Sequence, residues 1–150
     1  MAISFCKNNA YLSLHSLILI LVLALVLVVA QSNNVTNCEF MKYIVHVVND
    51  LPNNEALKVH CKSKDTDLGE HILGTSQEVN WSFRVNVFCT TLYYCDMQWS
   101  KAHGRFNVFE GIDADLTKAC NYKDCSWRVR VDGVFLYNVL TKYFEHRYKW

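Results

Sequence analysis

Beyond its first thirty residues, the chain consists mainly of short runs in which apolar and polar residues alternate. In Ala56–Cys61, Leu57 and Val59 fall on one side and Lys58 falls on the other. A period of two is the pattern of a strand with one buried face. Other runs share this alternation or the β-branched and aromatic composition of strands: Tyr43–Val48, Glu78–Val85, Phe88–Cys95 with Met97–Ser100 continuing or following it, Arg105–Glu110, Ser126–Val131 and Val134–Asn138.

These closely spaced runs predict an all-β fold. We expect a small, disulfide-bridged antiparallel β-sandwich of about seven to eight strands, in a single domain at residues 31–150. Asp132-Gly133 separates two of the runs and predicts a hairpin with a type I′ turn. Helical patterns are weak: Asp113–Ala119 could form one turn, and the tail Leu140–Trp150 could form a frayed helix.

The first thirty residues have the pattern of a secretion signal. Leu17–Ala30 is an unbroken apolar run, too short for a bilayer span of roughly twenty residues and suited to a signal-peptide core. Lys7 supplies a thin positive segment before it. We therefore expect residues 1–30 to be a signal peptide and the mature chain, from Gln31, to be secreted and extracellular. The alternative is an uncleaved membrane anchor.

The cysteine count agrees with secretion. The chain contains 7 Cys, and an even set remains when Cys6 leaves with the signal. Such a set on a secreted chain predicts a disulfide framework, although the spacing alone does not select among the possible pairings. No pair has the C-x2-C spacing of a zinc site, so we expect no metal. The six mature cysteines are Cys38, Cys61, Cys89, Cys95, Cys120 and Cys125.

Two N-x-S/T sequons predict glycosylation sites. Asn34 lies in a polar stretch near the mature N-terminus. Asn80 lies in the alternating run Glu78–Val85, which places its side chain on the outer face of a strand. The alternative is that a polar outer face simply contains an asparagine.

Composition and charge exclude several classes of protein. The chain is 51% hydrophobic with one Pro and 5 Gly, which excludes disorder and collagen-like repeats. Its net charge is +1, and the mature part is neutral because Lys7 leaves with the signal. A neutral chain lacks the positive field that nucleic acids require, so we expect no nucleic-acid partner.

The sequence contains no convincing set of catalytic residues. There is no G-x-S-x-G elbow. Ser63, Asp65 and His60 are close in sequence, but residues this close in an extended loop point in different directions, whereas a triad depends on geometry. We therefore expect no catalytic residues and no enzyme activity.

Two charged clusters have alternative interpretations. Asp65, Asp67 and Glu70 could bind calcium, but they do not match the EF-hand pattern and are better explained as a solvated turn. Arg128 and Arg130 are expected on the outer face of a strand that turns Trp127 inward. They could bind an acidic partner, although a solvated outer face is favoured. We expect no cofactor.

Four segments together resemble the signature of the plant self-incompatibility S-protein homologue family. They appear in the family's order and extend from about Ile44 to Asn138. In this sequence they read IVHVVNDL (44–51), LKVHCKSKDTDLGEHIL (57–73), FRVNVFCTTLYYCDMQW (83–99) and CNYKDCSWRVRVDGVFLYN (120–138).

The resemblance implies a small secreted β-sandwich protein that acts as a ligand. The founding members, from poppy, are secreted by the stigma and meet a membrane protein on incompatible pollen. By this resemblance we expect the partner to be a cell-surface membrane protein receptor, bound by a monomer that does not insert into membranes after signal cleavage. The role could be self-incompatibility or another reproductive or defence signal. The alternative is a secreted enzyme or enzyme inhibitor on the same scaffold.

The resemblance also sorts the cysteines and the loops. Cys38 and Cys89 depart from the family's usual set and suggest a third bridge between the mature N-terminus and the Phe88–Cys95 strand. Trp127 is expected to pack over a bridge, and Gly69 to have a positive φ in a tight turn. The family's usual cysteines are Cys61, Cys95, Cys120 and Cys125. Specificity is then expected in the loops Asn49–Glu55, Lys101–Arg105 and Gly111–Lys123.

Overall fold

A computed structural model describes residues 14–32 and 41–150 of the chain, which belong to two separate units. In the first unit, α1 spans Leu14–Ser32 and contains the predicted signal core. It continues past Ala30, where cleavage is predicted. Within the described residues, no helix is long and apolar enough to cross a membrane. The signal peptide stays a prediction.

The second unit is a two-sheet β-sandwich, so the predicted fold class is confirmed. One sheet has the strand order β4-β1-β7-β8-β9 and the other has the order β3-β2-β5-β6. A short helix, α2, lies between β6 and β7. The elements in chain order are β1 (Lys42–Asn49), β2 (Leu57–Lys62), β3 (Asp67–Leu73), β4 (Glu78–Arg84), β5 (Leu92–Trp99), β6 (Ala102–Glu110), α2 (Ala114–Ala119), β7 (Asp124–Arg130), β8 (Gly133–Asn138) and β9 (Tyr143–Tyr148).

One pair of strands departs from the antiparallel prediction. β1 runs antiparallel to β4 but parallel to β7, with Ile44 opposite Asp124 and Val48 opposite Arg128. Parallel neighbours need a long crossover connection. Here the chain passes through the whole second sheet and α2 before it returns beside β1.

The two additional strands were predicted as other structures. The tail expected as a frayed helix contains β9, which pairs with β8 and turns Tyr148 against the core rings of Phe106 and Trp127. The segment with Asp65, Asp67 and Glu70, expected as a solvated turn, contains the start of β3. Gly69 has the predicted positive φ, 77°, but it lies within β3 and not in a tight turn. Both strands are sheet edges, where polar residues are common because only part of the strand is covered.

The hairpin between β7 and β8 is present with a different turn. Arg130 lies opposite Gly133, so the two loop residues are Val131 and Asp132. Neither has a positive φ, whereas Gly133 has φ 147°, so the predicted type I′ turn is wrong. Val131, which the alternation of Ser126–Val131 places on the same inward side as Trp127, is 52% exposed at the turn.

The inward faces of the two sheets form one core around Trp127. Trp127 is completely buried, and its indole Nε1 donates to the backbone oxygen of Val108 on the opposite sheet at 2.9 Å. Cys125 is buried two residues earlier on the same face of β7. Disulfides join Cys61 to Cys95 across β2 and β5, and Cys120 to Cys125 between α2 and β7.

A buried asparagine fixes the connections at one end of the sandwich. Asn49 is completely buried at the end of β1. Its Nδ2 donates to the carbonyl oxygens of Glu55 and Leu73 at 2.8 Å each, and its Oδ1 accepts from the Leu51 backbone N–H at 3.0 Å. One side chain therefore supplies hydrogen bonds to the β1–β2 loop and to the end of β3. The loop expected to carry specificity begins with a structural residue.

Replacing Asn49 with alanine is expected to destabilise the protein by about 3 kcal/mol or more, because each buried backbone group left unpaired costs about 1–3 kcal/mol. The measurement is urea unfolding of the full chain followed by tryptophan fluorescence. Gln98→Ala, which removes an exposed amide from β5, is the control and should change stability by at most about 0.5 kcal/mol. Equal midpoints for the two variants would contradict the role given to Asn49.

Candidate interaction surfaces

His60 and Ser63 are not arranged as a base and a nucleophile. His60 Nε2 lies 2.5 Å from Asp67 Oδ1. Ser63 Oγ instead accepts from the backbone N–H groups of Asp65 at 3.3 Å and Thr66 at 3.1 Å. The serine thus closes the β2–β3 turn, and the histidine belongs to the exposed surface of the sheet.

Asp67, at the start of β3, accepts several hydrogen bonds on the outer face of the four-stranded sheet. Besides His60, it accepts from the Gly69 backbone N–H at 2.9 Å and from Lys62 Nζ at 3.1 Å. The Gly69 hydrogen bond, followed by those from His60 and Lys62, holds the pKa of the Asp67 carboxyl well below its usual range. Glu70 pairs with Lys58 at 2.7 Å. The described residues contain no group of three or more His, Cys, Asp or Glu side chains placed to hold a metal ion.

On the rest of the outer face of the four-stranded sheet, each cation is paired with a carboxylate. Arg105 on β6 makes two hydrogen bonds to Asp96 on β5, at 2.7 and 2.9 Å, and its guanidinium lies 4.8 Å from the centre of the Tyr94 ring. These hydrogen bonds lower the pKa of Asp96 and raise that of Arg105. The face borders a shallow depression of about 680 Å³. Because its cations already face carboxylates, it has little charge left to attract a ligand.

The outer face of the five-stranded sheet has a different balance of charge. Arg130 Nε donates to Asp50 Oδ2 at 2.8 Å, and Arg128 Nη1 lies 3.4 Å from Asp50 Oδ1. Both guanidinium groups lie over the ring of Phe144, at 4.9 and 5.3 Å from its centre. Both arginines face outward, as the alternation predicted, but they are half-buried and fixed in place.

Two loops at one end of the sandwich expose large apolar side chains. We call residues 85–91 and 111–123 the loop end. Phe88 is 79% exposed, Ile112 is 65% exposed and Val87 is 47% exposed. The two loops touch, because a Cβ on Gly111 would lie 2.4 Å from the Cys89 backbone oxygen. Phe88 precedes Cys89 and Ile112 follows Gly111, so each exposed side chain is next in sequence to one of the two residues in contact.

The loop end is held by its own hydrogen bonds. The Asn86 side chain donates from Nδ2 to Thr90 Oγ1 and accepts at Oδ1 from the Thr90 backbone N–H, at 2.9 Å each. The backbone N–H of Asn86 donates to Thr91 Oγ1 at 3.0 Å. In the second loop, Asp113 caps α2 by accepting from two backbone N–H groups. The Cys120–Cys125 disulfide closes that loop onto β7. Exposed apolar side chains thus stand on loops with fixed conformations.

Comparison with known proteins identifies the family. The sequence model of the family described as plant self-incompatibility protein S1 matches residues 44–150. This chain belongs to that family. Its relatives in Arabidopsis thaliana include S-protein homolog 1, 39% identical over 63% of this chain and 62% of the relative, and S-protein homolog 2, 34% identical over 73% and 68%. The matched part thus spans less than two thirds of the length of S-protein homolog 1.

A solved structure of a plant SPH (self-incompatibility protein homologue) protein is also similar. It is 17% identical, with a TM-score of 0.48 over 74% of this chain and 91% of the other. That protein is described as one of a widespread family of small, highly stable, secreted proteins from plants.

Several expected site residues of this S1-family chain stay predictions. Asn34 and Cys38 lie outside the described residues, so a glycan at Asn34 and the Cys38–Cys89 bridge are untested. Asn80 is exposed on the edge strand β4, and its Nδ2 donates to Glu78 Oε1 at 2.9 Å. This position is accessible to a glycan, as the alternation predicted.

The sequence located only part of the loop end. Gly111–Lys123 was expected to carry specificity, but Phe88 was assigned to a strand. The structure begins β5 at Leu92 and leaves residues 88–91 outside it. The adjacent apolar residues Val87 and Phe88, which break the alternation, are the signal that could have shown this. Conversely, most of Lys101–Arg105, expected as a loop, is strand β6.

Asp67→Asn tests whether the charge of the Asp67 carboxylate stabilises the fold. The pKa of Asp67 is lower in the folded state than the value of about 3.9 for an unfolded chain. Its charged form therefore stabilises the fold fully above that value, and this contribution is lost as the pH falls through the folded pKa. The wild type should be more stable than the variant at about pH 7, and the difference should shrink between about pH 4 and about pH 2.5. Urea midpoints at these values measure it, with Asp65→Asn as the neighbouring control; a pH-independent difference would contradict a stabilising role for this charge.

Glycosylation at Asn80 is tested by Ser82→Ala, which destroys the sequon and leaves Asn80 in place. The chain expressed in plant cells is expected to lose the mass of one glycan, because the exposed edge strand is open to the transferase. Intact-mass spectrometry before and after glycosidase treatment measures this loss. Ser100→Ala, outside any sequon, is the control, and an unchanged mass for Ser82→Ala would contradict the prediction.

Proposed function

We propose that this protein is a secreted extracellular recognition ligand whose loop end binds a cell-surface receptor protein. The observation that carries the proposal is the exposure of Phe88 and Ile112 on two touching loops with fixed conformations. Apolar side chains exposed on a soluble domain commonly mark a protein-binding site, and aromatic anchors supply much of the binding energy. Loops already fixed in their bound form lose little conformational freedom on association.

Membership of the S1 family supports the biological setting. The described relative is a secreted plant protein, and the apolar helix α1 covers the segment with a signal-peptide pattern. Signalling in self-incompatibility, in reproduction more widely or in defence agrees with this setting. The receptor would be a membrane protein displayed on the surface of a plant cell.

An enzyme inhibitor is the second candidate, and the same loop end favours it. A rigid loop with an exposed phenylalanine at its tip, as in residues 85–91, has the form of a segment that inserts into a cleft. An inhibitor would bind a soluble secreted enzyme, whereas a ligand would bind intact cells or their membranes. The location of the binding partner therefore separates the two functions.

The test is equilibrium binding of labelled protein, purified from cells expressing the full chain, to pollen and to vegetative cell surfaces. We expect saturable binding to one cell type that unlabelled protein competes. The double variant Phe88→Ser, Ile112→Ser should bind at least about tenfold more weakly, a loss typical of removing interface anchors. Ile72→Ser is the matched control because Ile72 is 71% exposed on β3, outside the loop end.

Three outcomes would overturn the proposal. Binding that never saturates would exclude a specific receptor. Saturable binding that the double variant retains would exclude the loop end. Binding confined to the soluble extracellular fraction, with none to cells, would favour the inhibitor.

A further inference from the structure

On the outer face of the five-stranded sheet, two neighbouring arginines are matched by only one carboxylate. Arg128 and Arg130 share the single carboxylate of Asp50, and the salt bridges of the described residues give them no other carboxylate. Arg105 on the opposite sheet has Asp96 to itself, with two hydrogen bonds. One net positive charge therefore remains at the pair. The mature chain has no net charge, so this local positive charge is not opposed by an overall negative charge.

The two guanidinium groups are held in place before any ligand arrives. Both lie over the ring of Phe144, and that of Arg130 also lies 4.9 Å from the centre of Phe135. Asp50 holds the same pair from the β1–β2 loop, and its backbone N–H is fixed by the carbonyl of Val129 at 3.0 Å. A guanidinium stacked in this way loses little freedom on forming a further hydrogen bond.

Each arginine still has donors to offer. A guanidinium carries five N–H donors, and Asp50 uses one nitrogen of Arg130 at 2.8 Å and one of Arg128 at 3.4 Å. The side chains are 35% and 39% exposed, so part of each fork faces solvent. The contact with Asp50 shows that a carboxylate fits this pair, because its two oxygens lie against the two guanidinium groups.

The spacing of the pair indicates what could supply the missing charge. Residues two apart on a strand point to the same side and are separated by about 6–7 Å. Carboxylates on alternate residues of an extended peptide have the same spacing and also share one side. Such a peptide could bring one carboxylate to each arginine, and the favourable geometry would be bidentate.

We propose that Arg128 and Arg130 form a binding site for an extended acidic peptide segment with carboxylates on alternate residues. The site lies on the face of β7, away from the loop end. It would give the protein a second contact with a protein partner, and it does not depend on the loop end being a receptor site. Charge complementarity is what selects the ligand here.

The first experiment compares two peptides of identical composition, GSESESG and ESGSGSE, by thermophoresis of the labelled full chain. The alternating peptide is expected to bind at least about fivefold more tightly than its isomer, and its affinity should fall with added salt because the contact is electrostatic. Equal affinities would overturn the proposal. Tighter binding of polygalacturonate or inorganic phosphate than of the alternating peptide would also overturn it, in favour of an acidic polysaccharide or a simple anion site.

Variants then locate the site. The double variant Arg128→Gln, Arg130→Gln is expected to weaken binding of the alternating peptide at least about tenfold, whereas Arg105→Gln, the matched control, should leave it unchanged. Asp50→Asn frees both guanidinium groups and should strengthen binding several-fold. Circular dichroism checks that each variant is folded, and weaker binding by a folded Asp50→Asn protein would overturn the proposal.

Discussion

The pairing of β1 with two partners is the constraint on which the rest of the structure depends. β1 is hydrogen-bonded to β4 on one side and to β7, from the distant C-terminal half, on the other. Because β7 is parallel to β1, the chain needs a crossover connection before it returns, and here that connection includes all four strands of the second sheet. That path places both the β4–β5 loop and the long β6–β7 connection at the end of the sandwich where β1 begins. The loop end is thus a consequence of topology rather than of any one motif.

Burial decided how much of the fold could be predicted. Strands inside a sheet, such as Tyr43–Val48 and Ala56–Cys61, alternate clearly because one face meets the core. The edge strands β3 and β9 were missed because partial cover permits polar residues such as Asp67 and Glu145 in them. Phe88 was misassigned because aromatic composition favours a strand, although the adjacent apolar residues Val87 and Phe88 already break the period-two pattern there.

The candidate sites were predictable only in part, for a related reason. Alternation placed Asn80, Arg128 and Arg130 outward correctly, since facing depends on local sequence. Which outward residues meet one another depends on register between strands, and no local pattern contains that. The sharing of Asp50 by two arginines needs the β1–β2 loop beside β7, and the contact between Gly111 and Cys89 needs two separate loops, each of which connects one sheet to the other.

The two sheets therefore present surfaces of different chemical capacity, although both carry arginine stacked on an aromatic ring. Arg105 has a carboxylate of its own, so a new anion would have to displace Asp96 and break two short hydrogen bonds. At Asp50 the donors outnumber the acceptors, so a new anion can bind without displacing anything. Stacking fixes the arginine in both places, and the ratio of cations to carboxylates decides whether it remains available. In this protein the count separates Arg105, whose charge is matched within the sheet, from Arg128 and Arg130, which share one carboxylate.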